Sequence, residues 1–170
     1  MKRQTRTRAA IATAAALVAA GTVTVGVSAA GPESKSTKST KPTKAQIAAL
    51  FDGWNAALAT GDAETVADRY ASDAVLLPTV SPEIRTDRAG IVDYFEHFLA
   101  NKPQGKKIRT VVNVLDSNSA IDAGLYEFTL TDPETGEKRE VEARYTYEYE
   151  KRGGKWLIVN HHSSVLPAAG

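Results

Sequence analysis

From Val141 to Glu150 the chain alternates without a break. Val141, Ala143, Tyr145, Tyr147 and Tyr149 take the odd positions, and Glu142, Arg144, Thr146, Glu148 and Glu150 stand between them. Successive side chains of a strand point to opposite faces, so this segment reads as one strand with an aromatic face and a charged face. Such a strand belongs to a sheet whose aromatic side is covered by helices. Its neighbours carry the same period: strands are expected at about 107–117, 120–131, 138–151 and 155–165. Turn-forming runs separate them, at Asp116-Ser117-Asn118-Ser119, Asp132-Pro133-Glu134-Thr135-Gly136 and Arg152-Gly153-Gly154.

The helices to cover that face lie upstream. Ile47, Leu50, Phe51, Trp54 and Leu58 form a single stripe at helical spacing, with Thr43 placed to cap its start and Gly61-Asp62 to end it. A short helix is expected over 63–70, a short apolar strand over 74–77 stopped by Pro78, and a third helix capped by Thr86 or Asp87 with Ile91, Phe95, Phe98 and Leu99 on one face. Helices followed by an antiparallel meander make an α+β order. In the last strand Trp156 and Ile158 fall on one face, Leu157 and Val159 on the other. Two apolar faces imply that the outer side of the sheet is also covered, by a second copy of the chain.

The first thirty residues follow different rules. Residues 1–8 hold Lys2, Arg3, Arg6 and Arg8, an uncharged Ala/Val/Thr-rich run follows, and Val27-Ser28-Ala29-Ala30-Gly31 offers small residues for a peptidase. Residues 1–30 therefore read as a signal peptide cleaved near Ala30, which makes the mature protein secreted, with no stable membrane anchor after cleavage. The competing membrane-span interpretation fits poorly with a run rich in Ala, Thr and Gly rather than Leu. Residues 31–42 are Pro, Ser, Thr and Lys apart from Gly31 and Glu33, with nothing apolar to bury, the composition of a disordered linker. Without the first thirty residues 17 bases face 20 acids, so the remaining domain has a net charge of −3 and no electrostatic footprint for nucleic acid. The chain has no cysteine, which excludes disulfides, thiolate metal sites and cysteine nucleophiles.

A spaced series then carries a resemblance: Trp54-Asn55-Ala56-Ala57-Leu58, Gly61-Asp62, Tyr70-Ala71-Ser72-Asp73-Ala74-Val75, and the run from Gly154-Lys155-Trp156 through Asn160-His161-His162-Ser163-Ser164. Over residues 43–167 the chain resembles the nuclear transport factor 2-like (SnoaL-like) superfamily. Within it the similarity is greatest to bacterial relatives of the association (hub) domain of calcium/calmodulin-dependent protein kinase II. The resemblance implies a cystatin-like α+β roll, a cone-like curved antiparallel sheet wrapped around N-terminal helices, with an internal cavity and a dimer interface on the outer face. The superfamily includes polyketide cyclases, ketosteroid isomerases, epoxide hydrolases and non-catalytic oligomerisation hubs, so fold alone does not fix function.

The resemblance also implies where a cavity would lie. Arginines of the kinase hub's cavity align with Tyr126, Tyr147 and Ser163, giving an aromatic rather than a basic lining. Trp54 and Tyr70 from the helical half would close it, and one of His161 and His162 would enter, since neighbours on a strand face opposite ways. The ligand-binding candidates are thus Trp54, Tyr70, Tyr126, Tyr147, His161 and Ser163. These side chains serve equally as core, and His161 serves either as a base or as a structural donor. Asp122 is the other catalytic candidate, with Tyr126 as a possible oxyanion donor for ketosteroid-isomerase-like chemistry. Parity puts Arg144 outside, and inside if the sheet is reversed. No phosphate loop, nucleophile elbow or metal motif is present, and no cofactor or metal is expected. Two functions follow: a hub-like module that self-associates as a homodimer or larger and binds a small organic ligand, or a cofactor-independent isomerase or cyclase.

Overall fold

The computed structural model describes residues 40–167; the segment expected to be a signal peptide and most of the expected linker lie outside the described residues. Thr43 opens the domain with a reciprocal cap: its Oγ1 accepts from Gln46 N–H at 3.1 Å while Gln46 Oε1 accepts from Thr43 N–H at 2.8 Å. The expected long helix is two segments, α1 (Lys44–Ala48) and α2 (Leu50–Ala59), meeting at Ala49. Ala49 keeps helical dihedrals (φ −70°, ψ −13°), so the stripe of Ile47, Phe51, Trp54 and Leu58 runs through the joint and is buried throughout.

Gly61 at φ +71° turns the chain out of α2, and Asp62 caps α3 (Ala63–Ala67) by accepting from Glu64 N–H at 3.1 Å. α3 stops before its expected end at 70 because the chain turns extended to pair. Ile158 N–H donates to the Arg69 carbonyl at 2.9 Å, and Tyr70 already belongs to β1 (Tyr70–Leu77). Asp87, not Thr86, caps α4 (Arg88–Leu99). Then follow β2 (Gln104–Val114), β3 (Ser119–Thr131), β4 (Lys138–Arg152) and β5 (Lys155–Val165), close to the expected limits.

The sheet order is β1-β5-β4-β3-β2. The expectation of an antiparallel sheet holds for the meander but needs one correction: β1 pairs with β5 in parallel, which makes the sheet mixed. Hydrophobic period two reports that a segment is a strand, but says nothing of the direction in which an edge strand pairs.

Three irregularities curve the sheet, between Lys107 and Arg109, between Tyr70 and Val75, and between Glu148 and Tyr149, where β5 carries Val159 as an extra residue. The last explains the two apolar faces of β5. Tyr149 pairs with Ile158 and Tyr147 with His161, so Val159 is a bulge and the parity of the strand changes there.

The concave face packs on the helices through aromatic rings. Phe51 stacks on Tyr145 with centroids 6.4 Å apart, and Trp54 meets Tyr147 edge-on at 5.7 Å. Phe98 of α4 meets Phe128 at 5.9 Å.

Candidate functional site

Alternation leaves open which of the two histidines enters; the bulge at Val159 decides it, turning His161 inward at 4% exposure and leaving His162 open to solvent. His161 sits in the middle of the sheet, level with Leu76 on one side and Tyr147 on the other. Its ring stacks on Tyr147 with centroids 4.1 Å apart.

A chain of hydrogen bonds runs from Trp54 through Tyr70 to His161. Trp54 Nε1–H, a donor only, gives to the Tyr70 hydroxyl at 3.0 Å. The Tyr70 hydroxyl lies 2.9 Å from His161 Nδ1, and with the indole hydrogen on one of its lone pairs its own proton is free to be donated there. With Tyr70 as donor, Nδ1 accepts and Nε2 bears the hydrogen of the neutral ring. Burial, reinforced by neighbouring His162, lowers the His161 pKa from 6.5 to about 3, so the neutral ring is the form present at ordinary pH. Its Nε2–H is buried and has no acceptor among the described residues.

His161 lies on the wall of a small chamber of about 30 Å³ at the mouth of the cone, room for about one or two waters. Of the ligand-binding candidates, Trp54, Tyr126, His161 and Ser163 line it. Tyr70 and Tyr147 are not on its wall: Tyr70 acts through its bond to His161, and Tyr147 is fully buried in the aromatic layer. Ser163 Oγ receives the Tyr126 hydroxyl and also bonds Thr79 Oγ1, which ties the loop after β1 to the sheet. Thr79 gave no signal in the sequence, because its role depends on a loop folding back over β5.

Asp122 is fully buried, but not in the company expected of it. Its Oδ1 accepts from the Tyr145 hydroxyl at 3.1 Å and its Oδ2 lies 3.9 Å from Lys107 Nζ, while Tyr126 is engaged by Ser163. The Asp122–Tyr126 pairing is therefore corrected to Asp122–Tyr145. Gly124 is the reason: with no side chain there, the Tyr145 hydroxyl passes within 3.1 Å of the place a Cβ would occupy. That position lets Tyr145 reach both Asp122 and Thr110 Oγ1, the latter at 3.1 Å. Burial raises the Asp122 pKa, opposed by Lys107 and the Tyr145 hydrogen bond. Lys107 also donates to the Ala48 carbonyl at the end of α1 and lies over the Phe51 ring at 5.1 Å. Its inward position follows from its register opposite Tyr126 and was missed because the bulge beside it breaks the alternation of β2.

Arg144 is exposed on the outer face, opposite Leu125 and Ser164, as parity indicated. Arg139 shares the parity of Tyr145 and stands at the concave rim opposite Leu130, a position that alternation alone could have given. Among the described residues no group of three or more metal-binding side chains converges, and no helix is long and apolar enough to cross a membrane.

A curved five-stranded sheet whose concave face packs through aromatic rings on the helices defines the nuclear transport factor 2-like, cystatin-like α+β roll. Residues 43–167 match the family profile of the calcium/calmodulin-dependent protein kinase II association domain, and the chain belongs to that family. A solved association-domain protein of this kind from Xanthomonas campestris is 60% identical, covering 73% of this chain and 88% of its own, with a TM-score of 0.72. The association domain of the C. elegans kinase superposes with a TM-score of 0.57 at 15% identity, covering 72% of this chain and 95% of its own. A nuclear transport factor 2-like protein of Salmonella enterica does so at 0.64 and 15% identity, covering 75% and 93%. These two support the fold alone. No curated protein matches the chain.

Proposed function

We propose that the domain is a self-associating, hub-like module, secreted and non-catalytic, whose concave mouth binds a small organic ligand through a neutral histidine donor. The observation that carries this is the setting of His161: Tyr70 occupies Nδ1, and the buried Nε2, which bears the proton when Tyr70 donates, has no partner among the described residues. An unpaired buried donor costs about 1–3 kcal/mol, which a ligand carbonyl or hydroxyl oxygen at the chamber wall would relieve.

The isomerase or cyclase alternative needs a base at that wall. A histidine with a pKa of about 3 is a poor proton acceptor at neutral pH, and Asp122, the only other candidate, is not among the chamber's lining residues. Self-association is the property for which the family is named, and an outer face with exposed Ile108 and Val111 among charges of both signs suits it. Native mass spectrometry after exposure to a metabolite extract is expected to find a retained compound on the wild type and none on His161→Phe. A wild type that emerges bare would refute the ligand-binding part. Intact-mass measurement on culture supernatant tests export separately, the expected species beginning at Ala30 or Gly31.

A further inference from the structure

A second buried polar cluster lies off the chamber wall, where α1 packs on β2. Asp122 is fully buried there. Its Oδ1 accepts from Tyr145, but its Oδ2 has no hydrogen-bond partner, and the nearest cation, Lys107 Nζ, stands off at 3.9 Å. Lys107 is engaged elsewhere: it donates to the Ala48 carbonyl and rests over the Phe51 ring. The backbone explains why that carbonyl is open. In an unbroken helix Asp52 N–H would bond Ala48, four residues back, but at the Ala49 joint it bonds the Ala49 carbonyl at 3.1 Å instead. One ammonium therefore stands between two acceptors, a helix-end carbonyl that holds it and a buried carboxylate just beyond bonding reach. The other titratable groups on Asp122 bring no positive charge. From β4 come the Tyr145, Tyr147 and Tyr149 hydroxyls, kept protonated by burial, the last two without partners. From α2, exposed Asp52 adds negative charge on the Tyr149 side, while the one charge of α1, Lys44, is exposed.

We propose that Lys107 is a two-position latch for α1, holding the Ala48 carbonyl while Asp122 is protonated and moving to Asp122 Oδ2 when that carboxylate is ionised, which lets α1 come off β2. The direction follows from the cost of each arrangement. With α1 closed, an ionised Asp122 is a buried charge with one oxygen unsatisfied. Moving the ammonium to Oδ2 completes a charge-assisted pair and leaves the half-buried Ala48 carbonyl to water, the smaller loss. When Asp122 is neutral that pull is absent, and the Ala48 bond wins. The proton released on ionisation goes to solvent. Burial raises the Asp122 pKa, so closure is favoured at low pH and weakened as pH rises. α1 is built to let go: it has five residues and buries only Ile47.

The test follows amide exchange by NMR in the full chain from about pH 4 to pH 8. It reads Ile47 and Ala49 N–H, which bond the Thr43 and Ala45 carbonyls, against the amides of β4. Asp122→Asn keeps an oxygen for Tyr145 but carries no charge, so at each pH it is the reference that cancels the intrinsic pH dependence of exchange. At the acid end the two proteins are expected to protect α1 equally. At the basic end wild-type α1 should exchange about tenfold faster than the variant, with a much smaller change in β4. Lys107→Met, with no ammonium for either acceptor, should exchange α1 rapidly at every pH. Equal or better protection of α1 in wild type at the basic end would overturn the latch. So would an α1 that stays protected in Lys107→Met, or a change in β4 as large as that in α1. If Asp122→Asn does not fold, wild-type α1 protection corrected for intrinsic rates decides: a fall with rising pH supports the latch, and a flat profile refutes it.

Discussion

Tyr147 has a fully buried hydroxyl with no partner, and its ring is stacked between His161 and Tyr149. The ring supplies packing, while the hydroxyl is held from water without return, at about 1–3 kcal/mol. Tyr147→Phe is therefore expected to leave the fold intact and raise stability by about 1 kcal/mol in denaturant titration, and any ligand effect should be small because Tyr147 does not line the chamber. A loss of stability would mean that the hydroxyl has a partner. His161 gives a pH prediction with a definite sign. Its folded pKa, about 3, is below its unfolded 6.5, so between those limits the unfolded chain binds a proton that the folded chain refuses. Its contribution is complete above pH 6.5 and falls on acidification by up to about 1.4 kcal/mol per unit. Asp122, with its raised pKa, acts the other way, its contribution being complete at low pH and lost as pH rises. Melting temperatures across pH 3–7 should therefore fall less steeply for His161→Gln than for wild type. At this scale the sequence was partly legible. Parity placed Asp122, Tyr126 and Arg144 on their correct faces and left the choice between His161 and His162 open, and choosing Tyr145 as the partner of Asp122 required knowing that Tyr145 crosses the bare Gly124.

Gly124 also governs how two elements meet. It pairs with Thr110 just beyond the β2 irregularity, where the strands approach so closely that a Cβ on it would lie 1.8 Å from the Arg109 carbonyl oxygen. Backbone, not a flexible side chain, is in the way, so the contact cannot be relieved by a rotamer change. Gly124→Ala is expected to cost about 3 kcal/mol or more, read as a large fall in melting temperature or as insoluble protein. Near-wild-type stability would show that the β2–β3 bend is not fixed by this approach. The elements themselves were legible, because amphipathic period and turn chemistry are local. What was not legible arises where strands are bulged or paired at a distance: the shift of parity at Val159, the inward turn of Lys107, and the parallel seat of β1 on β5. Each is decided by a partner far away in the chain, which no local period records.

At the scale of the molecule, the concave face is filled by the aromatic core while the convex face is not covered by any described element. On that face Val111 is 49% exposed, as is Ile108 at the β2 irregularity beside it, and Ile121, Ala123 and Leu125 of β3 are half-buried. Arg109 and Arg144 lie among them, with Glu127, Glu142 and Glu148 on the same side, so both signs are at hand for a surface that meets its own copy. A stable interface of ordinary size buries about 800 Å² per partner, within reach of a four-stranded outer face. In an isologous pair every residue occurs twice about the two-fold axis, so one acid placed near the centre is introduced as two facing charges. Leu125 lies opposite Arg109 on one side and Arg144 on the other, central to the face. Leu125→Glu should therefore leave the circular dichroism spectrum unchanged while converting the assembly to monomer at micromolar concentration in sedimentation equilibrium. Arg144→Ala, which removes charge but no apolar contact, should weaken association only a few fold. If the wild type is itself a stable monomer at that concentration, the convex face is no self-association surface. If the wild type assembles and Leu125→Glu assembles equally well, the copies meet elsewhere, and the free edge of β2 becomes the next surface to test.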